Sequence, residues 1–391
     1  MKSSQIKISF TGDIMCKSAQ TEACRHGDSY NYAKVFKLIK NELQSCDYLV
    51  GNLETVIAGE ELGYTNEMYS FNTPLPFAEE LVRSGFNLVS TANNHCLDRG
   101  TQGLLNNIES LDSIKLPHIG TYSSREERDM SFIADIKGIR VGFLAYTYGT
   151  NAFANHRFLK PEQKYMVNLF QPQEKLPGSI HLLQSMEKIG KEVNELYKKD
   201  NVIYKENIQP YLEQLKGDID RCRRDGADYV IMCMHSGGQY NPEPDPYTVY
   251  LVQWLCDAGV DAIIGNHPHV VHKFEMKNNT PVAYCLGNFI TTLGVNPNET
   301  GTLTEYSILL NLYLSKCDTG TKVEKIGFSV LKTVMQPDQS SVVIPVYDLL
   351  DHCKEPCERD KLIRENRIIA EKFSGIKSSD IMPQKEYFLS V

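Results

Sequence analysis

The sequence lacks several features that would assign it to a common class of protein. Its 391 residues carry a net charge of −8, from 41 basic and 49 acidic side chains, whereas a general nucleic-acid binder normally shows a basic patch or stripe. No stretch approaches the roughly 20 apolar residues that a membrane-spanning helix requires. The first ten residues also lack the basic and apolar segments of a secretion signal. We therefore expect a cytoplasmic protein with no membrane segment and no nucleic-acid partner.

The signature motifs of several enzyme classes are missing as well. The chain contains no Gly-x-Ser-x-Gly motif, which counts against a serine hydrolase of the α/β-hydrolase type. It also contains no Walker A motif, and no Gly-x-Gly-x-x-Gly follows the first predicted strand, so nucleotide-driven and nicotinamide chemistry are disfavoured. The eleven cysteines are scattered, which indicates reduced thiols rather than a disulfide framework. We expect Cys96, Cys233 and Cys285 to be small core residues.

Patterns of strands and helices alternate along residues 5 to about 147 and again along 208 to about 292. Short apolar runs bounded by polar residues are typical of buried strands. From residue 305 onward strand patterns predominate, and one helical pattern follows at 360–373. Alternating α/β units followed by clustered antiparallel strands indicate two sheets with helices on the outside.

Two helices are predicted near the beginning of the chain. Residues 32–43 have apolar side chains at helical spacing, which predicts a single helix there. Pro76 stands where the first turn of a helix tolerates proline, and Gly85 stands where that helix would end.

Residues 150–205 interrupt the alternating pattern. They are polar, with many Lys, Glu, Asn and Gln residues, and residues 180–198 have helical spacing. We interpret this stretch as an insertion or a lid near the functional edge of the sheets. The expected organisation is one domain over residues 1–350, followed by a C-terminal helix and tail over 351–391.

Five short polar motifs follow five of the predicted strands. They are Gly12-Asp13, Asn52-Leu53-Glu54, Asn93-Asn94-His95, Met234-His235-Ser236 and His267-Pro268-His269. Ligands of open α/β sheets bind beyond the carboxyl ends of the strands, so five motifs delivered to that edge can converge. Asp, Glu, Asn and His side chains together suit one or two divalent transition metals.

Each motif taken alone also has an ordinary structural explanation. A turn, a helix cap, a solvated carboxylate or a core histidine accounts for any one of them. Asp98 has two roles open to it: it caps the following helix, the commoner role, or it orients His95. The combination of the five motifs favours a metal site, because four of the ten histidines lie in these motifs at predicted strand ends.

The motif His267-Pro268-His269 is the most informative of the five. Proline disfavours the helical conformation for the residue before it, so we expect His267 to be extended. Two histidines spaced by two in an extended segment point to the same side of the chain. They would then offer two imidazole nitrogens to one metal.

The ordered set of motifs resembles the bacterial capsule synthesis family, the CapA or PgsA type of protein linked to poly-γ-glutamate. The set consists of the five motifs, Asp98 and Leu286-Gly287-Asn288-Phe289. The resemblance covers about residues 5–292. That family is in turn similar to the calcineurin-like metallophosphoesterases. The resemblance implies an α/β fold, a four-layer α/β/β/α sandwich, with one or two divalent ions of Mn, Fe or Zn.

The resemblance also implies roles for individual residues of this sequence. The implied metal ligands are Asp13, Glu54, Asn94, His235, His267 and His269. The catalytic pair would be His95 and Asp98, with His95 as the general acid or the oxyanion stabiliser. Apart from the resemblance, we expect Asn52, Asn93 and Arg99 to contact an anionic substrate, either a small molecule or a polymer.

Two positions depart from the metallophosphoesterase pattern. Met15 stands where the first motif of those enzymes, Asp-x-His, has histidine, and Asn52 stands where they have the bridging aspartate. Glu54 would then replace that carboxylate, and one metal site would be weaker or differently filled.

The expected function is a metal-dependent hydrolase. Water activated at the metals would attack a phosphoester or, as the second choice, an amide such as a γ-glutamyl bond. The alternative is a non-catalytic, metal-containing accessory protein for the synthesis or transport of an anionic polymer such as poly-γ-glutamate.

Overall fold

Two β-sheets lie face to face, and helices cover the outer face of each sheet. The structure is a computed structural model, and it describes residues 4–66, 70–173, 202–291, 303–318, 320–377 and 382–390. The helix predicted at 180–198 lies outside the described residues.

The strands and helices below are numbered in chain order. The strands are β1 (Ser4–Ile14), β2 (Arg25–His26), β3 (Ser29–Tyr30), β4 (Tyr48–Leu53), β5 (Leu88–Ser90), β6 (His118–Ile119), β7 (Ile133–Ile136), β8 (Ile139–Thr147), β9 (Tyr229–His235), β10 (Ala262–Asn266), β11 (Phe274–Lys277), β12 (Thr280–Ala283), β13 (Asn288–Ile290), β14 (Tyr306–Cys317), β15 (Gly320–Met335), β16 (Ser341–Pro345) and β17 (Tyr387–Leu389). The helices are α1 (Ser18–Ala23), α2 (Ala33–Phe36), α3 (Lys40–Leu43), α4 (Leu75–Ser84), α5 (Gly100–Ser113), α6 (Arg125–Arg128), α7 (Ala152–Asn155), α8 (Val202–Arg224), α9 (Pro246–Ala258), α10 (Val346–His352) and α11 (Pro356–Ser374). Short 3₁₀ helices occur at Glu60–Leu62 and Pro161–Met166.

The first sheet has the strand order β16-β15-β14-β1-β4-β5-β6, with β13 paired to β1 and β17 paired to β15. Its strands β1, β4, β5, β6 and β13 pair in parallel, whereas β14, β15, β16 and β17 pair antiparallel. The second sheet has the order β11-β12-β10-β9-β8-β7, in which β8, β9, β10 and β12 are parallel. This mixed pairing matches the α/β units and later antiparallel strands predicted from the sequence.

The main hydrophobic core lies between the two sheets. Alternate residues of β1, such as Ile6, Ile8 and Phe10, point into it, because side chains of a strand alternate between its two faces. In β9 the residues Ile231 and Cys233 point into this core. The intervening residues Val230, Met232 and Met234 face the helices α8 and α9 outside the second sheet. Helices α2, α4 and α5 cover the first sheet in the same way, so the predicted four-layer α/β/β/α sandwich is confirmed.

Local signals explain where some helices begin and end, and one prediction was wrong. Helix α4 has proline in its first turn and ends at Gly85, which has a left-handed backbone with φ +107°, as predicted. The single helix predicted at 32–43 is instead two short helices, α2 and α3. The backbone N–H of Ile39 donates to the Phe36 carbonyl oxygen, three residues back. This tighter bond interrupts the α-helical ladder while the apolar face of the segment stays buried.

The C-terminal segment packs against the same core as the preceding strands. The ring of Phe373 in α11 lies 5.0 Å from that of Phe328 and 5.8 Å from that of Phe274, between ring centroids. All eleven cysteines are free thiols, and Cys96, Cys233 and Cys285 are buried, as predicted. Among the described helices, none is long and apolar enough to cross a membrane.

Candidate metal centre

Strand ends from both sheets deliver the five polar motifs to one buried region. The residues that meet there are Asp13 near the end of β1, Glu54 after β4, Asn94 and His95 after β5, His235 at the end of β9, and His267 and His269 after β10. Each of these side chains is buried, and Asp13 and Glu54 are completely inaccessible. The structure therefore brings together all six predicted metal ligands and the predicted general acid.

A close approach of two backbones places Asp13. The N–H of Asp13 donates to the Gly287 carbonyl oxygen at 2.9 Å. A Cβ atom on Gly12 would lie 1.9 Å from that same oxygen, so only glycine fits at this position. The Gly12-Asp13 motif thus sets the first carboxylate against the strand that follows Gly287.

Two groups of potential metal ligands share Glu54. One group is Glu54, His235 and His267, and the other is Asp13, Glu54 and His269; within each group the donor atoms lie within 4.8 Å of one another. The Oε1 atom of Glu54 lies 3.5 Å from Nε2 of His235 and 3.8 Å from Nε2 of His269. A carboxylate common to both groups could contribute a donor atom to either.

The environment of Glu54 disfavours an isolated negative charge. Neither carboxylate oxygen is accessible, and neither accepts a hydrogen bond from the part of the chain that the structure describes. Burial, followed by the negative charge of Asp13, raises the pKa of Glu54 well above its ordinary value. A buried carboxylate needs either a proton or a cation. The set of carboxylate, amide and imidazole donors around it fits a divalent transition metal.

The pKa of Asp13 shifts in the opposite direction to that of Glu54. Burial alone would raise its pKa, but the hydrogen bond and charge of His269, with the charge of His235, outweigh burial and lower the pKa. Its Oδ2 atom lies 3.0 Å from Nδ1 of His269, and its Oδ1 atom accepts a hydrogen bond from Nδ2 of Asn52 at 2.8 Å. Asp13 is therefore held as an ionised carboxylate, the form that binds a metal.

Asn94 belongs beside the first of the two ligand groups. Its Oδ1 atom lies 2.8 Å from Nε2 of His235, so an amide oxygen joins the donors of Glu54, His235 and His267. That group then has four candidate donors, whereas the group around Asp13 has three. The residue Met15, which stands where the related pattern has histidine, is buried and supplies no nitrogen.

Asp98 orients His95 and does not cap a helix. Its Oδ2 atom lies 2.6 Å from Nδ1 of His95 and also accepts the backbone N–H of Phe71 at 2.6 Å. Helix α5 begins at Gly100 without a side-chain hydrogen bond at its N-terminus, so the capping role considered for Asp98 was wrong. Because a carboxylate only accepts, Nδ1 of His95 carries the shared proton, and Nε2 remains for other chemistry.

The backbone at His267 and His269 differs from the prediction. Strand β10 ends at Asn266, and the two histidines have φ angles of +107° and +60°, so His267 is not extended. Such angles are strained for residues other than glycine. The bend wraps around Asp13, whose Oδ2 accepts the N–H of His267 at 3.3 Å and contacts the ring of His269. The two imidazoles converge through this bend and not through the alternation of a strand.

The three residues assigned to substrate binding are engaged with protein groups. Nδ2 of Asn52 contacts Oδ1 of Asp13 and lies 3.3 Å from Nδ1 of His235. Nδ2 of Asn93 donates to the Leu53 carbonyl oxygen at 2.8 Å. The guanidinium of Arg99 donates to the Gly63 carbonyl oxygen at 3.1 Å and to the Ser70 hydroxyl. A substrate contact for any of the three stays a prediction.

Sequence reasoning missed the side chains that follow strand β8. The ring of Tyr148 lies 4.6 Å from that of His267 between centroids. Asn151 accepts a hydrogen bond from Nδ2 of Asn94 at 3.2 Å, and Asn155 donates to Asp98 at 3.0 Å. These residues follow the end of strand β8, so the strand-end rule applied to the five motifs would also have found them.

The fold has four layers, α/β/β/α, and carboxylates and imidazoles gather at the carboxyl ends of its strands. This arrangement defines a class of protein with a candidate dinuclear metal centre. The chain belongs to the family of the bacterial capsule synthesis protein PGA_cap, whose family model matches residues 7–293. It is 26% identical over 310 residues to the capsule biosynthesis protein CapA of Bacillus anthracis, covering 78% of this chain and 64% of that protein. It is 23% identical over 317 residues to the PGA biosynthesis protein CapA of Bacillus subtilis (strain 168), covering 81% of this chain and 69% of that protein.

The chain thus spans less than two thirds of the length of the Bacillus anthracis protein. Among solved structures, the calcineurin-like phosphoesterase YfkN from Bacillus subtilis is similar, with a TM-score of 0.45 and 14% identity over 84% of this chain and 90% of that chain. A TM-score below 0.5 supports no transfer of activity. The fold assignment rests on the two sheets and their helices.

Proposed function

We propose that this protein is a metal-dependent hydrolase of the capsule synthesis family that cleaves a phosphoester. The observation that carries the proposal is Glu54, a completely buried carboxylate that accepts no hydrogen bond from any described residue and belongs to two ligand groups. A buried carboxylate in this state is stabilised by a cation. Two groups that share one carboxylate suit two ions close together.

One ion would be held by the four-donor group and the other by the three-donor group. The first set is Glu54, Asn94, His235 and His267, and the second is Asp13, Glu54 and His269. When bound, divalent Mn, Fe or Zn would lower the pKa of a water molecule and polarise the phosphoryl group.

The chain's own proton donor would be His95. Asp98 lies 2.6 Å from Nδ1 of His95 and would stabilise the doubly protonated ring, whose Nε2–H would be given to the departing oxygen and leave the imidazole neutral. The ring of Phe71 packs 4.4 Å from the ring of His95 between centroids and fixes its plane. An amide such as a γ-glutamyl bond is the second substrate class, because the same imidazole can protonate a departing amine.

A second candidate function is a non-catalytic accessory role in making or moving an anionic polymer. The printed names of the Bacillus relatives describe biosynthesis and not hydrolysis. His95 is also only 4% exposed, which favours a structural role for its pair with Asp98. In this function the metals would hold carboxylates of the polymer.

The two functions are separated by metal analysis combined with the variant His95→Ala. Wild-type protein freed of chelator should contain one or two transition metals per chain, and His267→Ala/His269→Ala should lose them. For a hydrolase, His95→Ala should keep the metals and lose about 10²–10⁴-fold in turnover of an alkyl phosphoester. The matched control is His118→Ala, because His118 lies on β6, is not one of the candidate ligands and pairs with Asp112 of helix α5.

Each outcome assigns a function or removes one. Phosphoester turnover that falls in His95→Ala and is unchanged in His118→Ala supports the hydrolase. Metal-dependent binding of poly-γ-glutamate, without turnover and unchanged in His95→Ala, supports the accessory role. Wild-type protein that binds neither Mn²⁺ nor Zn²⁺ would contradict both.

A further inference from the structure

One short segment of the chain reaches both halves of the candidate site. It follows β8 and carries Asn151 and Asn155, whose side-chain amides contact different residues of the site. Oδ1 of Asn151 accepts a hydrogen bond from Nδ2 of Asn94 at 3.2 Å. Nδ2 of Asn155 donates to Oδ1 of Asp98 at 3.0 Å. The first contact reaches the metal ligands, and the second reaches the proton donor.

The contact with Asn151 is made by the nitrogen end of the Asn94 amide, and the oxygen end faces the ligands. An amide can turn either its oxygen or its nitrogen toward a neighbour. In the structure Nδ2 of Asn94 donates to Oδ1 of Asn151, and the amide oxygen of Asn94 lies 2.8 Å from Nε2 of His235. Only this orientation offers an oxygen to a metal. Asn151 itself has a left-handed backbone with φ +51° and is 6% exposed, so its position is closely constrained.

The contact of Asn155 completes the set of donors around Asp98. The Oδ2 atom of Asp98 already accepts hydrogen bonds from Nδ1–H of His95 and from the backbone N–H of Phe71, both at 2.6 Å. Nδ2 of Asn155 donates to the other oxygen, Oδ1. A carboxylate held at both oxygens cannot rotate, so the imidazole that it holds is fixed in direction.

We infer that Asn151 and Asn155 are positioning residues of the metal centre. Asn151 holds the amide oxygen of Asn94 toward the metal ligands, and Asn155 holds Asp98 and through it His95. This inference rests on the proposed function for its chemical meaning. The two contacts predict separable defects, one in metal affinity and one in proton delivery.

The variant Asn151→Gly tests the first contact. Glycine tolerates a φ angle of +51°, so the change removes the amide without straining the backbone. The affinity for Mn²⁺, measured by calorimetry, should fall about 10–100-fold. The matched control is Asn278→Gly, because Asn278 has nearly the same backbone, with φ +50°, in the exposed turn between β11 and β12. That control should keep wild-type affinity.

The variant Asn155→Ala tests the second contact. Its affinity for Mn²⁺ should stay within about twofold of the wild type. The hydrogen-bonded Nδ1 proton of His95, a low-field NMR signal that His95→Gln abolishes, should shift in Asn155→Ala and stay in place in Asn151→Gly. If the protein is a hydrolase, turnover of an alkyl phosphoester should fall about 10-fold more than that of a nitrophenyl phosphoester, whose leaving group needs no proton.

Several results would overturn the inference. Asn151→Gly with the same Mn²⁺ affinity as Asn278→Gly would remove the role of Asn151. Asn155→Ala with an unchanged His95 signal would remove the role of Asn155. Equal losses of metal affinity and His95 signal in both variants would show a merely structural segment. If the wild type binds no metal, the proposed function and the Asn151 role both fail, whereas the NMR signal still decides the Asn155 role.

Discussion

Replacing Glu54 with glutamine should remove both metal ions at once. The change Glu54→Gln keeps the size of the side chain and removes the one charge that belongs to both ligand groups. His235→Ala, in contrast, leaves the group around Asp13 intact, and His269→Ala leaves the group around His235 intact. We therefore expect each histidine variant to lose one ion and Glu54→Gln to lose two.

The magnitude follows from the environment of Glu54. In the metal-free protein, burial and the charge of Asp13 raise the pKa of Glu54 well above its ordinary value, so the charged form is disfavoured and a neutral glutamine of the same size fits the site. The free energy of unfolding of metal-free Glu54→Gln should therefore equal or exceed that of the wild type. At a free metal concentration 100 times its Kd, each bound ion adds about 2.7 kcal/mol to wild-type stability. The variant should gain almost none of this.

The assay combines calorimetric titration with Mn²⁺ and urea unfolding with and without the metal. Glu80→Gln is the matched control, because Glu80 is another buried carboxylate but lies on α4 and pairs with Arg83. It should bind Mn²⁺ like the wild type. Two ions bound with wild-type affinity by Glu54→Gln would refute the bridging role. A metal-free Glu54→Gln destabilised by several kcal/mol would instead show that the carboxylate supports the fold.

Three further predictions concern stability. Arg128→Met should lower the free energy of unfolding by about 3–5 kcal/mol in urea titrations, because it breaks a buried, bidentate ion pair with Asp218. The control Lys216→Ala removes an exposed ion pair of α8 and should change the free energy of unfolding by less than about 1 kcal/mol. Equal effects of the two variants would contradict the reasoning. Burial lowers the pKa of His272 to about 4 from an ordinary 6.5, so the unfolded chain binds this proton before the folded protein does. Up to about 3 kcal/mol of stability, present above pH 6.5, should therefore be lost as the pH falls toward 4. His272→Gln should flatten the dependence of unfolding free energy on pH, and an unchanged dependence would refute this. Gly217→Ala should raise stability by about 1 kcal/mol, because nothing lies within 4 Å of the added methyl group inside helix α8, and a loss would show an unrecognised contact.

The layers of the fold follow from short-range patterns, which is why the sequence predicts them well. Side chains alternate along β1 and β9, and this period of two decides which residues enter the core between the sheets. Pro76 and Gly85 act within one turn of helix α4, so its ends are also local properties. The division of the predicted helix at 32–43 is different, because it depends on a tightened turn within a segment whose apolar spacing is still helical.

The site was predictable as a set of residues but not as a geometry. Its candidate ligands stand at or just after strand ends, and that position is visible in the sequence. The bend at His267, however, is held by the carboxylate of Asp13, which lies 254 residues away along the chain. Whether Asp98 caps a helix or holds His95 likewise depends on the neighbours Phe71 and Asn155. Contacts of such long range leave no periodic signal.

The charge of the site connects its unusual ligands to the kind of substrate that it suits. Asp13 and Glu54 are the only carboxylates in the two ligand groups found among the described residues, and the other donors are imidazoles and an amide. Asn52, which stands where a bridging aspartate is expected, adds no charge and instead donates to Asp13. Two divalent ions would bring +4 against −2 from the two carboxylates, which leaves an excess of +2 in a buried site. An excess of this sign and size favours an anionic group such as a phosphoester or the carboxylates of a polymer. Asn52→Asp should therefore reduce the affinity for inorganic phosphate of the metal-loaded protein while retaining its metals, and a rise in phosphate affinity would contradict this account of the charge.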